Sequence, residues 1–137
     1  MPIPERPEYE KLIYDLPNQF PEIAVSTLRI YSTSAFTGTL EGAVILKNGI
    51  RIQAVEVLDF GSGIIRKYSY TIYQGEKKIR WYDPQPHPEN AELAATFPHH
   101  YHEEPGIKLN RRPAPGITFD APNLPGLVEV CLRLGGE

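Results

Sequence analysis

The chain has 137 residues, 41% hydrophobic and 23% charged, which fits one globular domain around a single core. Its 17 acidic and 14 basic residues give a net charge of −3, which argues against a general attraction to nucleic acid but leaves a local basic patch open. The sequence has neither an apolar run of about 20 residues nor a signal-like N-terminus, so we expect a cytoplasmic protein that does not span a membrane.

The distribution of proline divides the chain, because residues 24–83 contain none of the 14 prolines. Proline cannot donate to a strand ladder, so this middle part is the one suited to continuous strands. The predicted class is α+β, a single domain with an antiparallel sheet of about five strands in a meander and with N- and C-terminal helices packed on one face. Its parts are an N-terminal arm and short helix (1–21), the sheet (22–83), a histidine- and proline-rich functional loop (84–105), and a proline-rich arm with a C-terminal helix (106–137).

The predicted elements follow in chain order. Apolar residues at helical spacing predict a helix over residues 9–16, which Pro17 ends. β-Branched and aromatic residues predict a strand over residues 23–33, with a bulge between Val25 and Leu28. Further strands are predicted over residues 40–47, 50–60, 64–73 and 78–83.

Two local signals complete the predicted fold. Asn48–Gly49 is the dipeptide typical of a tight hairpin turn between two strands. Residues 124–134 predict a C-terminal helix with residues 135–136 as its stop signal, although the alternation in this run also fits a strand. Cys131 lies in this apolar run, which favours a packing role over a reactive thiol, and a single cysteine cannot form an intramolecular disulfide.

Strand periodicity places one carboxylate, Glu56, among the apolar side chains of residues 50–58. One interpretation is an ion pair with Arg66 on the next strand. The other is a partly desolvated carboxylate whose pKa is tuned for acid–base work, or which binds a metal.

Arginine and tyrosine alternate on the last two predicted strands. Arg66, Tyr68 and Tyr70 share one face, and Arg80 with Tyr82 forms a matching row. Such rows can contact phosphates and stack on bases, or they can form an ordinary cross-strand ladder.

Three of the four histidines lie in the stretch TFPHHYHEEP, residues 96–105. If this stretch is extended, His100 and His102 share one side and His99 points the other way. The His-x-His pair can bind a divalent metal whose shell Asp83, His87 or the two following glutamates could complete. Metal-free histidines beside arginine and tyrosine suit RNA cleavage through the 2′-hydroxyl. A solvated loop whose histidines cap nearby backbone remains a third interpretation.

Four short motifs in fixed order resemble the TumE-like family of small prokaryotic toxins from toxin–antitoxin pairs. They are Y-S-Y at residues 68–70, R-W-Y-D at residues 80–83, P-H-P at residues 86–88 and F-P-H-H-Y-H at residues 97–102. The resemblance spans roughly Leu40 to Glu104 and implies a growth-inhibiting toxin, a cognate antitoxin encoded beside it, and RNA as the expected target. This chain departs from the family at Thr71 and Pro88, where relatives tend to carry histidine.

Two hypotheses follow for the function. The first is a toxin-like ribonuclease whose candidate catalytic residues are His99, His100, His102, Glu56 and Asp83, with His100 and His102 as candidate metal ligands. Its candidate substrate-binding residues are Arg66, Tyr68, Tyr70, Arg80 and His87. The second is a non-catalytic module that binds a protein partner or a metal. Pairing between chains through an open sheet edge is also expected to be possible.

Overall fold

One antiparallel sheet of eight strands organises the computed structural model, which describes residues 2–134. Three α-helices and a short 3-10 helix accompany the sheet. In chain order, the elements are α1 (Arg6–Tyr14), α2 (Leu16–Gln19), β1 (Ile23–Ser26), β2 (Arg29–Ser32), β3 (Thr37–Leu46), β4 (Ile50–Asp59), β5 (Ile64–Gln74), β6 (Lys77–Asp83), the 3-10 helix (Ala91–Thr96), β7 (His100–Glu103), β8 (Arg111–Pro113) and α3 (Leu124–Leu134). Among residues 2–134, no helix has both the length and the apolar character needed to cross a bilayer.

The α+β class is confirmed, but the prediction of about five strands is wrong. The strand order is β1-β3-β4-β5-β6-β7-β8, with β2 also paired to β3. The extra strands β7 and β8 come from segments predicted as a loop and an extended arm. Prolines flank the four residues of β7 without interrupting them, so they can pair with β6. Pro113 ends the edge strand β8, where a missing N–H group is tolerated.

The first predicted strand is also divided in two, because β1 and β2 both pair with β3. The chain changes path at Thr27, whose carbonyl oxygen would lie 2.5 Å from a Cβ placed on Gly42 of β3. Gly42 has a φ of +141°, which favours glycine. The register shift lies between Ile23 and Val25, so the prediction of a bulge between Val25 and Leu28 is wrong.

The predicted N-terminal helix has the wrong bounds. The chain forms two helices there, and Pro17 lies in the first turn of α2 rather than ending a helix, since a first-turn N–H group has no intrahelical partner to lose. The predicted hairpin turn is confirmed, because β3 ends at Leu46, β4 begins at Ile50 and Gly49 has a φ of +92°. The predicted pair of terminal helices is also incomplete, since three α-helices and a 3-10 helix are present.

The predicted C-terminal helix is confirmed as α3, and its predicted stop signal at residues 135–136 lies outside the described residues. Its buried residues Leu124, Leu127, Val128 and Cys131 recur at helical spacing, which excludes the strand alternative. Cys131 is fully buried in the core, and burial raises the pKa of its thiol to about 12. This agrees with a packing role.

The two faces of the sheet differ in what covers them. The core face carries buried side chains that pack with α1 and α3, including Ile52, Ala54, Glu56, Tyr70 and Ile72. The open face carries the alternate residues of the same strands, and several apolar side chains there remain exposed. They are Val25, Ile45, Val55 and Val57.

Candidate functional site

The paired strands β6 and β7 bring together a trio of buried polar side chains, Asp83, His100 and His102. Asp83 lies opposite His100 in the register, and His102 follows two residues later on the same face. The Nε2 atoms of the two histidines are 3.2 Å apart. Asp83 Oδ2 lies 3.1 Å from His102 Nε2, and Asp83 Oδ1 lies 3.2 Å from His100 Nε2. The predicted shared side of His100 and His102 is therefore confirmed.

Neighbouring groups fix the orientation of the trio. His100 Nδ1 lies 3.2 Å from the carbonyl oxygen of Pro98, which can only accept, so Nδ1 carries the proton and Nε2 has a lone pair. The backbone N–H of Gln85 donates to Asp83 Oδ1 at 2.8 Å. Trp81 stacks on the His102 ring with centroids 4.7 Å apart. Burial lowers the pKa of His100, which favours the neutral imidazole.

Two imidazoles and a carboxylate that converge on one point can serve either as a hydrogen-bonded cluster or as metal ligands. Their ligand atoms all lie within 4.8 Å of one another. His87 packs its ring edge-on against His100, with centroids 5.0 Å apart. His100 has no exposed surface, so a substrate cannot touch it directly in this conformation.

His99 points away from the trio, as predicted. Its Nδ1 lies 2.6 Å from the hydroxyl oxygen of Tyr68, and its ring packs between Tyr68 and Phe119. Burial and the neighbouring His100 lower the pKa of His99, while Asp120 opposes the shift. Burial raises the pKa of Tyr68, so its hydroxyl keeps its proton. The half-buried His99 is therefore a neutral imidazole with one nitrogen fixed by a tyrosine.

His99 lines a cavity of about 560 Å³ beside β5. Arg66 and the aromatic side chains of Phe97 and Phe119 line the same cavity, together with Asp120. The Arg66 side chain is 55% exposed and Phe97 is 49% exposed, so both are accessible to a ligand. This cavity brings together a cation, an imidazole and aromatic rings at one accessible place.

A profile of the family described as Toxin TumE matches residues 10–125 of the 137 residues. The chain belongs to the TumE toxin family. No curated protein and no solved structure matches the chain. The profile covers both the trio and the residues that line the His99 cavity.

Thr71, the residue that follows Y-S-Y in this TumE family member, lies on the open face. Thr71 pairs with Trp81, which in turn pairs with His102. A histidine at position 71 would therefore lie beside Trp81, on the same face as the trio.

Glu56 is not brought to the histidines. It is fully buried on the core face, where its carboxylate accepts hydrogen bonds from the hydroxyls of Tyr9 and Tyr70. The predicted ion pair between Glu56 and Arg66 is wrong, because Arg66 donates instead to Asp59 Oδ2 at 2.6 and 2.9 Å. Arg66 lies at a register shift in the pairing of β4 with β5, between Ile65 and Lys67, and a regular alternation of side chains cannot anticipate such a shift.

Two other candidate substrate-binding residues also lie away from the histidines. Tyr70 is fully buried between Glu56 and Asn123, whose amide donates to the Tyr70 hydroxyl at 3.1 Å. Arg80 lies over the ring of Tyr101 at 4.3 Å and lines a separate cavity of about 590 Å³. Because side chains alternate along β6, Arg80 lies on the core face, whereas Trp81 and Asp83 lie on the open face.

Three residues near these groups were not singled out from the sequence. Trp81 could have been found, because alternation on β6 places it on the same face as Asp83. Phe119 and Arg111 come from the segment predicted as an extended arm, and no local pattern there indicates a contact with the histidines. Arg111 pairs with His102 in the register, and its Nε is buried without a hydrogen-bond partner among residues 2–134.

Proposed function

We propose that this TumE family member is the toxin of a toxin–antitoxin pair and that it cleaves RNA at the His99 cavity. The observation that carries the proposal is the placement of His99, Arg66 and Phe97 around one accessible cavity of about 560 Å³. Membership of the toxin family supports the growth-inhibiting role. The cognate antitoxin is expected to be encoded beside it.

The residues at the cavity match the needs of a single-stranded RNA substrate. The Arg66 guanidinium can donate to a phosphodiester, and the partly exposed Phe97 ring offers a surface on which a base can stack. Phosphate binding by Arg66 has to compete with its ion pair to Asp59. A local cation at the cavity also explains how a chain with a net charge of −3 could hold RNA.

In the proposed reaction, His99 is the general base. In the neutral tautomer whose Nδ1–H donates to the Tyr68 hydroxyl oxygen, His99 keeps its lone pair on Nε2, and this nitrogen accepts the proton of the RNA 2′-hydroxyl. The 2′-oxygen then attacks phosphorus, and the bond from phosphorus to the 5′-oxygen breaks. The 5′-oxygen takes a proton from water, and the hydroxide that remains takes the proton held by His99, which restores the neutral imidazole. The products are a 2′,3′-cyclic phosphate and a 5′-hydroxyl end. Arg66 stabilises the charge that develops on the phosphate oxygens.

His100, His102 and Asp83 have a positioning role in this proposal, since they are buried and do not reach the cavity. They hold β7 against β6 and thereby fix the residue that precedes β7, which is His99. Glu56, Tyr70 and Arg80 have no part in the proposed reaction, because none of them lines the His99 cavity.

The test combines growth with a defined RNA cleavage assay. Wild type, His99→Ala and Arg66→Ala are expressed with and without the neighbouring gene, and the purified proteins are incubated with a synthetic RNA. Arg29→Ala, another exposed strand arginine, is the matched control. We expect wild type and Arg29→Ala to arrest growth and to leave 2′,3′-cyclic phosphate ends, while His99→Ala loses about 100-fold or more of the rate. An RNA with 2′-deoxy linkages should stay intact. Full toxicity and cleavage by a folded His99→Ala protein would refute the proposal.

A second candidate function is a non-catalytic module that binds a protein partner. The observation that favours it is the exposed apolar patch of the open face, where Val25, Ile45, Val55 and Val57 are each between 37% and 48% exposed. The double substitution of Val55 and Val57 by glutamate should then abolish binding of the protein encoded beside this chain. Gln74→Glu, an exposed substitution outside the patch, should leave that binding intact. Absence of RNA cleavage by wild type together with this binding pattern would favour the module.

A further inference from the structure

We propose that Asp83, His100 and His102 form a metal centre that binds one divalent transition-metal ion, best fitted by Zn²⁺. The ligands are the Asp83 carboxylate and the Nε2 atoms of both histidines. Around a tetrahedral zinc ion with bonds of about 2.0–2.1 Å, neighbouring ligand atoms are separated by about 3.3–3.4 Å. The two Nε2 atoms lie 3.2 Å apart, close to that spacing, and each lies within 3.2 Å of one oxygen of the Asp83 carboxylate.

Three ligand groups converge on one point in the trio. His100 Nδ1 donates to the Pro98 carbonyl oxygen, which turns His100 Nε2 toward Asp83 and His102. His102 Nε2 lies within hydrogen-bond distance of both His100 Nε2 and Asp83 Oδ2, although one ring nitrogen carries at most one hydrogen. One hydrogen cannot serve both neighbours fully, whereas a cation at the centre of the trio contacts all three ligands at once.

His102 is held through one of its two ring nitrogens. Its Nδ1 is buried and has no hydrogen-bond partner within residues 2–134, whereas its Nε2 has two close neighbours. Nε2 is therefore the nitrogen positioned to bind a metal, and a metal bond there would supply an interaction that keeps this side chain buried.

The surroundings of the trio are those of a metal site. The Pro98 carbonyl fixes the tautomer of His100, the Gln85 N–H holds the Asp83 carboxylate, and Trp81 stacks on His102. Such outer contacts orient metal ligands in proteins. Arg111, which pairs with His102 in the register, opposes binding through its positive charge. The Asp83 carboxylate, within 3.2 Å of both Nε2 atoms, offsets it.

The test measures metal binding directly and needs no RNA. The tag-free full chain is stripped with EDTA, dialysed against Zn²⁺ or Co²⁺, and analysed for bound metal per chain and for the absorption of tetrahedral Co²⁺. We expect about one ion per chain and a rise in melting temperature with Zn²⁺. Asp83→Asn, which conserves shape, should weaken binding by about 100-fold or more. His99→Ala, which changes the adjacent histidine on the other side, should keep the full metal content.

His102→Cys provides a gain-of-signal variant that depends on direct ligation. A thiolate at this position should keep the metal and add a sulfur-to-Co²⁺ charge-transfer band that wild type lacks. Failure of the folded wild type to bind either ion, or equal binding by Asp83→Asn, would overturn the proposal. The result is independent of the proposed nuclease, since metal can bind without RNA cleavage, and cleavage by the EDTA-treated chain would leave this measurement unchanged.

Discussion

The side chains of His99 and His100, although consecutive, contact opposite faces of the sheet. His99 packs on Tyr68, which pairs with Glu56 on the core face, whereas His100 meets Asp83 on the open face. Because strand side chains alternate between faces, His99 lies at the accessible cavity, whereas His100 and His102 lie in the buried trio. A single backbone step connects them, so the position of the proposed base depends on how firmly the trio holds β7.

Removal of the Tyr68 hydroxyl tests the orientation of His99. In Tyr68→Phe, the ring that stacks on His99 remains, but the contact at 2.6 Å to Nδ1 is lost. We expect the RNA cleavage rate to fall by about 10- to 100-fold, the usual range for the loss of an orienting hydrogen bond. The exposed Tyr31→Phe is the matched control and should cleave at the wild-type rate. An unchanged rate in Tyr68→Phe would show that the hydroxyl has no positioning role.

Replacement of Arg66 by alanine tests its proposed contact with phosphate. Each phosphate contact to a single strand contributes about 0.7 to the slope of log affinity against log salt concentration. We expect Arg66→Ala to reduce that slope by about this amount, measured by RNA binding at several salt concentrations. The Arg66 side chain is 55% exposed, so little stability should be lost. Arg29→Ala should keep the wild-type slope, and a reduced slope there as well would point to a nonspecific charge effect.

The burial of Glu56 predicts a pH-dependent stability. Burial raises the pKa of Glu56 above its ordinary value of 4.5, although the Tyr70 and Tyr9 hydroxyls oppose the shift. A carboxyl with a higher pKa in the folded chain stabilises the fold most below its unfolded pKa, and this contribution is lost as pH rises through the folded pKa. We therefore expect the stability of wild type to fall relative to that of Glu56→Gln as pH rises from 4.5 toward neutrality. The free energy of unfolding of Glu56→Gln minus that of wild type should increase over this range.

The measurement is urea unfolding of wild type and Glu56→Gln at about pH 4 and about pH 8. The difference between their free energies of unfolding isolates the contribution of the Glu56 carboxyl. Glu76→Gln, in the exposed turn between β5 and β6, controls for the loss of a surface charge. A difference between Glu56→Gln and wild type that stays constant or narrows with rising pH would contradict the raised pKa.

Gly42 is expected to tolerate no side chain. In Gly42→Ala, the new Cβ would lie 2.5 Å from the Thr27 carbonyl oxygen and 2.9 Å from Leu28 Cα, which are backbone atoms that cannot rotate away. We expect a loss of about 3 kcal/mol or more in the free energy of unfolding. Gly75→Ala has a φ of +63° but open space around it, so it should lose only about 1–2 kcal/mol. Equal losses in the two variants would show that the corner between β1 and β2 relaxes.

The sequence allowed the proline-free strands, the Asn48–Gly49 turn and the α3 helix to be predicted, because each depends on local periodicity or turn chemistry. It also predicted that His100 and His102 share a side, since alternation holds in any strand. The position of Arg66 could not be predicted in the same way. Its partner is set by a register shift between β4 and β5, and such a shift depends on pairing across the sheet.

The candidate site shows the same limit. Asp83 was a candidate partner of the histidines from its place in the chain, but the 3.1 and 3.2 Å contacts require β7 to add to the sheet beside β6. That pairing joins residues 17 to 23 positions apart, across a segment with prolines at 84, 86, 88 and 98. Local propensity predicts a loop there, and long-range pairing overrides it.

The buried thiol of Cys131 can report how often the fold opens around α3. It is the only cysteine, it has no exposed surface, and burial raises its pKa to about 12. A thiol-specific reagent should therefore modify Cys131 only in the moments when α3 separates from the sheet. The rate of modification therefore reports how often this opening occurs, and no label has to be engineered into the chain. It separates a variant that has lost its chemistry from one that has lost its fold.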